Sequence, residues 1–180
     1  MSGKRNPIPV MAAGIIVGLA LRKAAKKRYA DIQKEYVEDY IRETGNYLEG
    51  KTVESRKIAA NSYYWHMQFP ISANKNNMAA LRKVLSSMRH DYYDYLIVDV
   101  NNGAYKKEYG HVTYVQATRR EKAYQLELHF EAADGTQKQF VRFIPDFIYA
   151  EKLLETLLVK RRVPDMTKWF DCTKYVIKEL

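Results

Sequence analysis

The chain has 180 residues, enough for one folded domain with an appendage, and a net charge of +9. Residues 1–30 contain seven basic and no acidic side chains, which leaves a net charge of only +2 for residues 31–180. Because a nearly balanced domain offers no clustered positive potential to phosphates, we expect no nucleic-acid binding. Cys172 is the single cysteine, which excludes an intramolecular disulfide and a cysteine-based metal site within one chain.

The first predicted element is an apolar run of fifteen uncharged residues, 7–21. A bilayer span needs about 20 apolar residues, but Arg22 and Lys23 can lengthen the run by snorkelling. We therefore expect a retained membrane anchor with a basic flank over residues 1–28. Three other interpretations stay open, namely an organelle-targeting or inner-membrane segment, a secretory signal peptide and a buried core helix.

This segment supplies the candidate site residues. Five basic side chains follow the run at once and are expected at the membrane interface: Arg22, Lys23, Lys26, Lys27 and Arg28. Gly14 and Gly18 have the small-xxx-small spacing that lets two membrane helices approach closely, so a partner protein or a second copy is expected there. The positive-inside rule places the C-terminal domain in the cytoplasm, or in the matrix for a mitochondrial inner-membrane protein.

The pattern predicts that the helix continues through residues 22–44 and ends at Gly45. Apolar and aromatic residues recur there at spacings of three and four, at Tyr29, Ile32, Tyr36 and Tyr40. Such a face packs either on a partner helix or on the protein's own sheet, and the second interpretation is favoured. Since residues 52–67 also favour a helix, residues 29–68 are predicted to form a helical stalk.

Residues 69–180 are predicted to form an α+β domain. An amphipathic helix is indicated by Met78, Leu81, Leu85 and Met88, and Pro-Asp pairs at 145–146 and 164–165 open two further helices. Between them, strands are predicted at 96–100, 111–115, 123–131 and 139–144, with turns at Gly103 and Gly135.

Strand 123–131 alternates strictly in polarity. Tyr124, Leu126, Leu128 and Phe130 face one side, and Gln125, Glu127, His129 and Glu131 face the other. The pattern is typical of an antiparallel sheet with one face in water. We therefore expect a small antiparallel sheet of about four strands packed with C-terminal helices. As an alternative architecture, the order of elements over residues 95–160 resembles the C-terminal half of a PH-like domain, a resemblance that implies no function.

Motifs for catalysis are scarce. The four histidines show neither i, i+4 pairing nor an H-E-x-x-H motif, and the chain has no phosphate-binding glycine loop. No metal, cofactor or small molecule is therefore predicted. The densest ionisable group is His90, Asp91 and Asp94, which could serve acid–base catalysis or simply form a hydrated turn.

The sequence predicts a single-pass membrane-anchored accessory or scaffold protein that acts by protein–protein contact. The first alternative is a peripheral lipid-binding module held by the basic residues. The second is a small enzyme built on His90, Asp91 and Asp94, although we expect no enzyme and name no catalytic residue.

Overall fold

The computed structural model describes residues 10–48, 63–69, 75–90, 94–100 and 103–177, and within the first helix it describes side chains for residues 22–44. The helices are α1 (Val10–Leu48), α2 (Lys75–Ser87), α3 (Phe147–Leu158) and α4 (Thr173–Val176), with a 3₁₀ turn at Met166–Lys168. The strands are β1 (Tyr64–Phe69), β2 (Tyr95–Val100), β3 (Tyr105–Lys106), β4 (Gly110–Arg119), β5 (Tyr124–Glu131), β6 (Gln137–Ile144) and β7 (Phe170–Asp171).

The strands form one mixed sheet of seven strands in the order β1-β2-β4-β5-β6-β7, with β3 paired to β4. Strands β1 and β2 are parallel and are joined through α2, whereas the other pairs are antiparallel. The α+β class is confirmed, but the prediction of about four antiparallel strands is wrong. The sequence pattern favoured a helix up to Met67, yet Tyr64–Phe69 is an edge strand whose burial alternates.

Helices α2 and α3 cover one face of the sheet. Their apolar side chains, including Leu81, Leu85 and Leu154, join Leu126 and Leu128 of β5 in the main core. The periodicity that predicted a helix around Met78 and the alternation that predicted β5 are therefore both confirmed. Asp146 caps α3, since its carboxylate accepts a hydrogen bond from the Tyr149 amide.

Helix α1 covers part of the opposite face. Ile32, Tyr36 and Tyr40 are buried against Val141 and Phe143 of β6, and Gln33 Oε1 accepts a hydrogen bond from the Phe143 amide. The interpretation in which this aromatic face packs on the protein's own sheet is therefore confirmed.

The expectation of a water-exposed sheet face is wrong for three residues of β5. Gln125, Glu127 and His129 are all buried, and only Glu131 is exposed. Polar side chains can leave water when their hydrogen bonds are satisfied, and α1 together with β4 and β6 supplies partners here.

Smaller differences concern the ends of elements. Helix α1 continues to Leu48, beyond the end predicted at Gly45. The pair Pro164-Asp165 opens only a three-residue 3₁₀ turn, in which the Asp165 carboxylate accepts from the Thr167 amide. Strand β7 and the short α4 follow it.

Within the described part of the chain, no helix is long and apolar enough to cross a membrane. Helix α1 passes through the predicted boundary at residue 28 without a break. The division into residues 1–28, 29–68 and 69–180 stays a prediction.

Candidate functional site

The most unusual feature of the structure is a layer of polar side chains buried between α1 and the sheet. Its centre is the Glu127 carboxylate of β5, which is 4% exposed. Tyr40 of α1 donates its hydroxyl to Glu127 Oε2 at 3.0 Å, and Gln139 of β6 donates to the same atom at 2.6 Å. Gln125 donates to Oε1. Three donors thus replace the water that a carboxylate loses on burial.

Arg120 extends this layer to the C-terminal part of α1. Its Nε donates to Gln125 Oε1 at 2.7 Å, and its two terminal nitrogens donate to the two carboxylate oxygens of Glu43, each at 2.9 Å. This bidentate ion pair holds the guanidinium and the carboxylate in one plane. We use the name polar layer for Tyr40, Glu43, Arg120, Gln125, Glu127 and Gln139.

Tyr40 and the neighbouring Cys172 are held in their neutral forms. Burial, together with the negative charge of Glu127, raises the pKa of Tyr40 far above its ordinary value. Burial first and Glu127 second raise the pKa of the Cys172 thiol to about 12, and its Sγ donates to the Gln139 carbonyl oxygen. A thiol with this pKa has almost no thiolate at neutral pH, so Cys172 is a structural residue and a poor nucleophile.

His129 lies on the same face of the sheet. Burial lowers its pKa, which favours the neutral ring at neutral pH. Its Nδ1 is 2.6 Å from Thr113 Oγ1, and its ring stacks on Tyr114 with the ring centres 4.6 Å apart. His129 is therefore held by its neighbours and presents no free basic nitrogen at Nδ1.

A cleft of about 240 Å³ opens beside the polar layer. It lies between the C-terminal part of α1 and strands β2, β4 and β5. Its lining residues are Tyr40, Glu43, Thr44, Tyr95, Gln116, Thr118, Arg120 and Gln125. Every one of them has a polar side chain, so the cleft suits a ligand that forms hydrogen bonds.

Sequence reasoning did not find the polar layer or the cleft. The residues come from α1, β2, β4, β5 and β6 and from Arg120 between β4 and β5, and nothing in their spacing along the chain brings them together. One pattern in the sequence could have indicated the polar layer. The polar side chains on one side of β5, Gln125, Glu127 and His129, could have been predicted to form hydrogen bonds with the tyrosine hydroxyls on the aromatic face of α1.

The predicted membrane-interface residues lie together on α1. Arg22, Lys23, Lys26, Lys27 and Arg28 are all exposed, and among the described side chains of α1, which begin at residue 22, the first that packs on the domain is Tyr29. Gly14 and Gly18 fall within α1, but the surroundings of their Cα atoms lie outside what the structure describes.

The structure describes two of the three residues of the predicted acid–base group, and one of these two is buried. Asp91 lies outside the described residues, His90 is exposed and Asp94 is completely buried. Asp94 accepts hydrogen bonds from the Tyr63 amide and from the Arg89 amide, Nε and terminal nitrogen, all at 2.9–3.0 Å. It thereby links the starts of β1 and β2 to the end of α2. Within the described residues, no group of three His, Cys, Asp or Glu could hold a metal ion.

The Asp94 contacts predict a pH-dependent contribution to stability. Burial raises the pKa of Asp94, but the bonds from Arg89 and Tyr63 outweigh it and hold the pKa below its ordinary value. The folded state therefore gains stability above about pH 4, the ordinary range of an aspartate, and loses it as the pH falls towards the folded pKa. Asp94→Asn should lower the free energy of unfolding by roughly 3 kcal/mol at neutral pH, measured by urea titration.

The matched control is Asp99→Asn, because Asp99 is half-exposed and pairs with His66 at the surface. Its effect should stay below about 1 kcal/mol. The difference between wild type and Asp94→Asn should shrink below about pH 4. A difference that is constant through the acid range would contradict this role.

The Tyr40 hydroxyl predicts a second stability effect. Tyr40→Phe keeps the ring but leaves Glu127 with one donor fewer, so unfolding should become easier by about 2 kcal/mol. Tyr105→Phe is the control, because Tyr105 is 59% exposed. Thermal unfolding of both variants measures the difference; equal midpoints would show that the hydroxyl contributes nothing.

Comparison with known proteins gives no relative from which chemistry could be transferred. No protein-family model, no curated protein and no solved structure matches this chain. What the site can do therefore follows from its own side chains.

Proposed function

We propose that this protein is a membrane-anchored accessory or scaffold protein that acts by contact with a partner protein. One observation carries the proposal. Residues 22–28, named here the basic segment, display five exposed positive charges and no acidic side chain. They directly precede the part of the same helix that packs on the sheet. Because one continuous helix connects the basic segment to the domain, a membrane contact at this segment would fix the position of the domain without a flexible linker.

The geometry of the basic segment supports contact with an anionic surface. At about 100° per residue, Arg22, Lys23, Lys26 and Lys27 fall within an arc of about 140° on one side of α1. Each such side chain near an anionic leaflet contributes about 1 kcal/mol of binding free energy. Their aliphatic stems can also pack on lipid while the charged ends stay in the headgroup region.

The uncharged run before the basic segment supports insertion into the membrane. With fifteen residues it is shorter than the usual span, and snorkelling of Arg22 and Lys23 lengthens it. The alternative is a peripheral lipid-binding module, in which the run enters only one leaflet and the basic segment supplies most of the attraction.

The charge distribution also supports an orientation. The concentration of basic residues after the run favours a C-terminal domain in the cytoplasm, or in the mitochondrial matrix if the membrane is the inner mitochondrial one. Gly14 and Gly18 would then contact a second membrane helix, from a partner or from another copy of this chain.

The sheet edge supports a protein partner for the domain. Within the described residues, β1 pairs only with β2 and ends the sheet. Tyr63 and Tyr64 beside this edge are 59% and 51% exposed, and the Tyr64 ring leans on Tyr95 with the ring centres 4.7 Å apart. Rigid exposed tyrosines next to a free strand edge are typical of surfaces that bind an extended peptide or another sheet.

The basic segment predicts a charge-specific effect on lipid binding. Replacing Arg22, Lys23, Lys26, Lys27 and Arg28 together by Gln should weaken binding of the full chain to phosphatidylserine-containing vesicles by at least about tenfold. The matched control replaces five exposed basic residues elsewhere, namely Lys83, Lys107, Lys152, Arg162 and Lys168. Co-sedimentation should show little change for the control, and equal losses in both variants would contradict a specific role.

Extraction of native membranes separates the two modes of attachment. A membrane-spanning helix resists both high salt and alkaline carbonate, whereas a protein held mainly by charge is released by high salt alone. We expect resistance to both treatments. Release by salt would establish the peripheral module, and a chain found only in the soluble fraction would overturn membrane attachment altogether.

A further inference from the structure

The cleft beside the polar layer has a floor made of three adjacent strands. Tyr95 of β2, Thr118 of β4 and Gln125 of β5 are direct neighbours across the sheet. Gln116 extends the floor by one position on the same side of β4, since residues two apart in a strand share a face. Tyr40, Glu43 and Thr44 of α1 form one wall, and Arg120 closes the end.

Several floor residues have unused hydrogen-bonding groups. Among the described residues, the side chains of Tyr95, Gln116 and Thr118 accept and donate no hydrogen bond, whereas Tyr40, Glu43, Arg120 and Gln125 bond to one another or to Glu127. Thr118 is only 4% exposed. Its hydroxyl is not among the buried side-chain atoms that lack a partner in the described part of the chain, so it stays accessible from the cleft to water or to a ligand.

The charges of the cleft favour a neutral ligand over a strongly ionic one. The Arg120 guanidinium is paired on both terminal nitrogens with the Glu43 carboxylate, so the two charges cancel within the wall. The remaining lining side chains are uncharged hydroxyls and amides. A phosphate or an amine would compete with this pair for its partners, whereas a neutral polar molecule leaves the pair intact.

The size and surface of the cleft limit the neutral ligand further. A volume of about 240 Å³ equals the share of about eight water molecules in the liquid, which suits one small ring and excludes a folded peptide. The cleft is lined by the hydroxyls and amides of Thr and Gln side chains and by the rings of Tyr95 and Tyr40. Each tyrosine offers an apolar ring face together with a polar hydroxyl. A sugar ring has the matching surface, with C–H groups on its faces and hydroxyls at its rim.

We propose that this cleft binds a small neutral polyhydroxylated molecule of about the size of one monosaccharide. Thr118 and Gln116 bond to its hydroxyls, and the rings of Tyr95 and Tyr40 contact its C–H face. The site is independent of the basic segment. Tyr40 lies twelve residues after Arg28, about 18 Å along the helix at 1.5 Å per residue. The geometry therefore favours a dissolved sugar over the headgroup of a membrane lipid.

The test uses the full-length chain in a zwitterionic detergent that contains no sugar. Saturation-transfer NMR and calorimetric titration are run with glucose, galactose, N-acetylglucosamine and inositol, and with inorganic phosphate and spermidine as charged probes. We expect at least one neutral compound to bind and neither charged probe to compete with it.

Two variants and one control assign the binding to the cleft. Thr118→Val is nearly isosteric and removes one hydroxyl, and Gln116→Ala removes an amide; each should weaken binding by about tenfold. Gln68→Ala is the control, because Gln68 is exposed on β1, shares this face of the sheet and lies outside the cleft. Unchanged thermal midpoints would show that the variants are folded.

Three results would overturn the proposal. The first is the absence of binding by any neutral compound up to saturating concentrations. The second is binding that survives both Thr118→Val and Gln116→Ala. The third is displacement of the neutral compound by inorganic phosphate or spermidine, which would show that the cleft binds charged ligands. None of these results would bear on the vesicle binding of the basic segment.

Discussion

The burial of the Glu127 carboxylate is the constraint on which the arrangement of this fold depends. A carboxylate in the middle of a sheet face must either stay in water or find donors, because an unpaired buried charge is very costly. Two donors, Gln125 and Gln139, come from the sheet itself, but the third comes from Tyr40 of α1. Helix α1 therefore completes the domain, and the ion pair between Glu43 and Arg120 fixes its C-terminal part.

This constraint gives one helix two roles. From Tyr29 onward α1 is part of the domain, and before Tyr29 it displays only exposed side chains in the described residues 22–28. In the proposed function, a membrane contact at the basic segment thus sets the position of the sheet, its edge strand β1 and the cleft. Polar packing also makes the α1 interface specific in register, since a shift along the helix would break the Tyr40–Glu127 hydrogen bond and the Glu43–Arg120 ion pair.

The sequence predicted the elements whose signal is local. The alternation of β5, the apolar spacing of α2 and the Pro-Asp start of α3 each follow from contacts within one element, and all three are present. Features that depend on contacts between residues far apart in the sequence could not be predicted from local patterns. The polar side of β5 looked water-exposed because its cover, α1, is about ninety residues away in sequence. Strand β1 was missed because its pairing with β2 is parallel and is made only through α2. The cleft, assembled from α1 and three strands, has no counterpart in any local pattern.

Residues 29–44 of α1 belong to the folded domain and are held there by the polar layer. Hydrogen exchange of the full chain is the sharpest test, because amides of a docked helix open only with the unit that they stabilise. We expect the amides of residues 32–43 to be protected to the same degree as those of β5 and β6, and Tyr40→Phe to lower the protection of all three together. Fast exchange of residues 32–43 beside a fully protected sheet would show instead that α1 is a separate appendage.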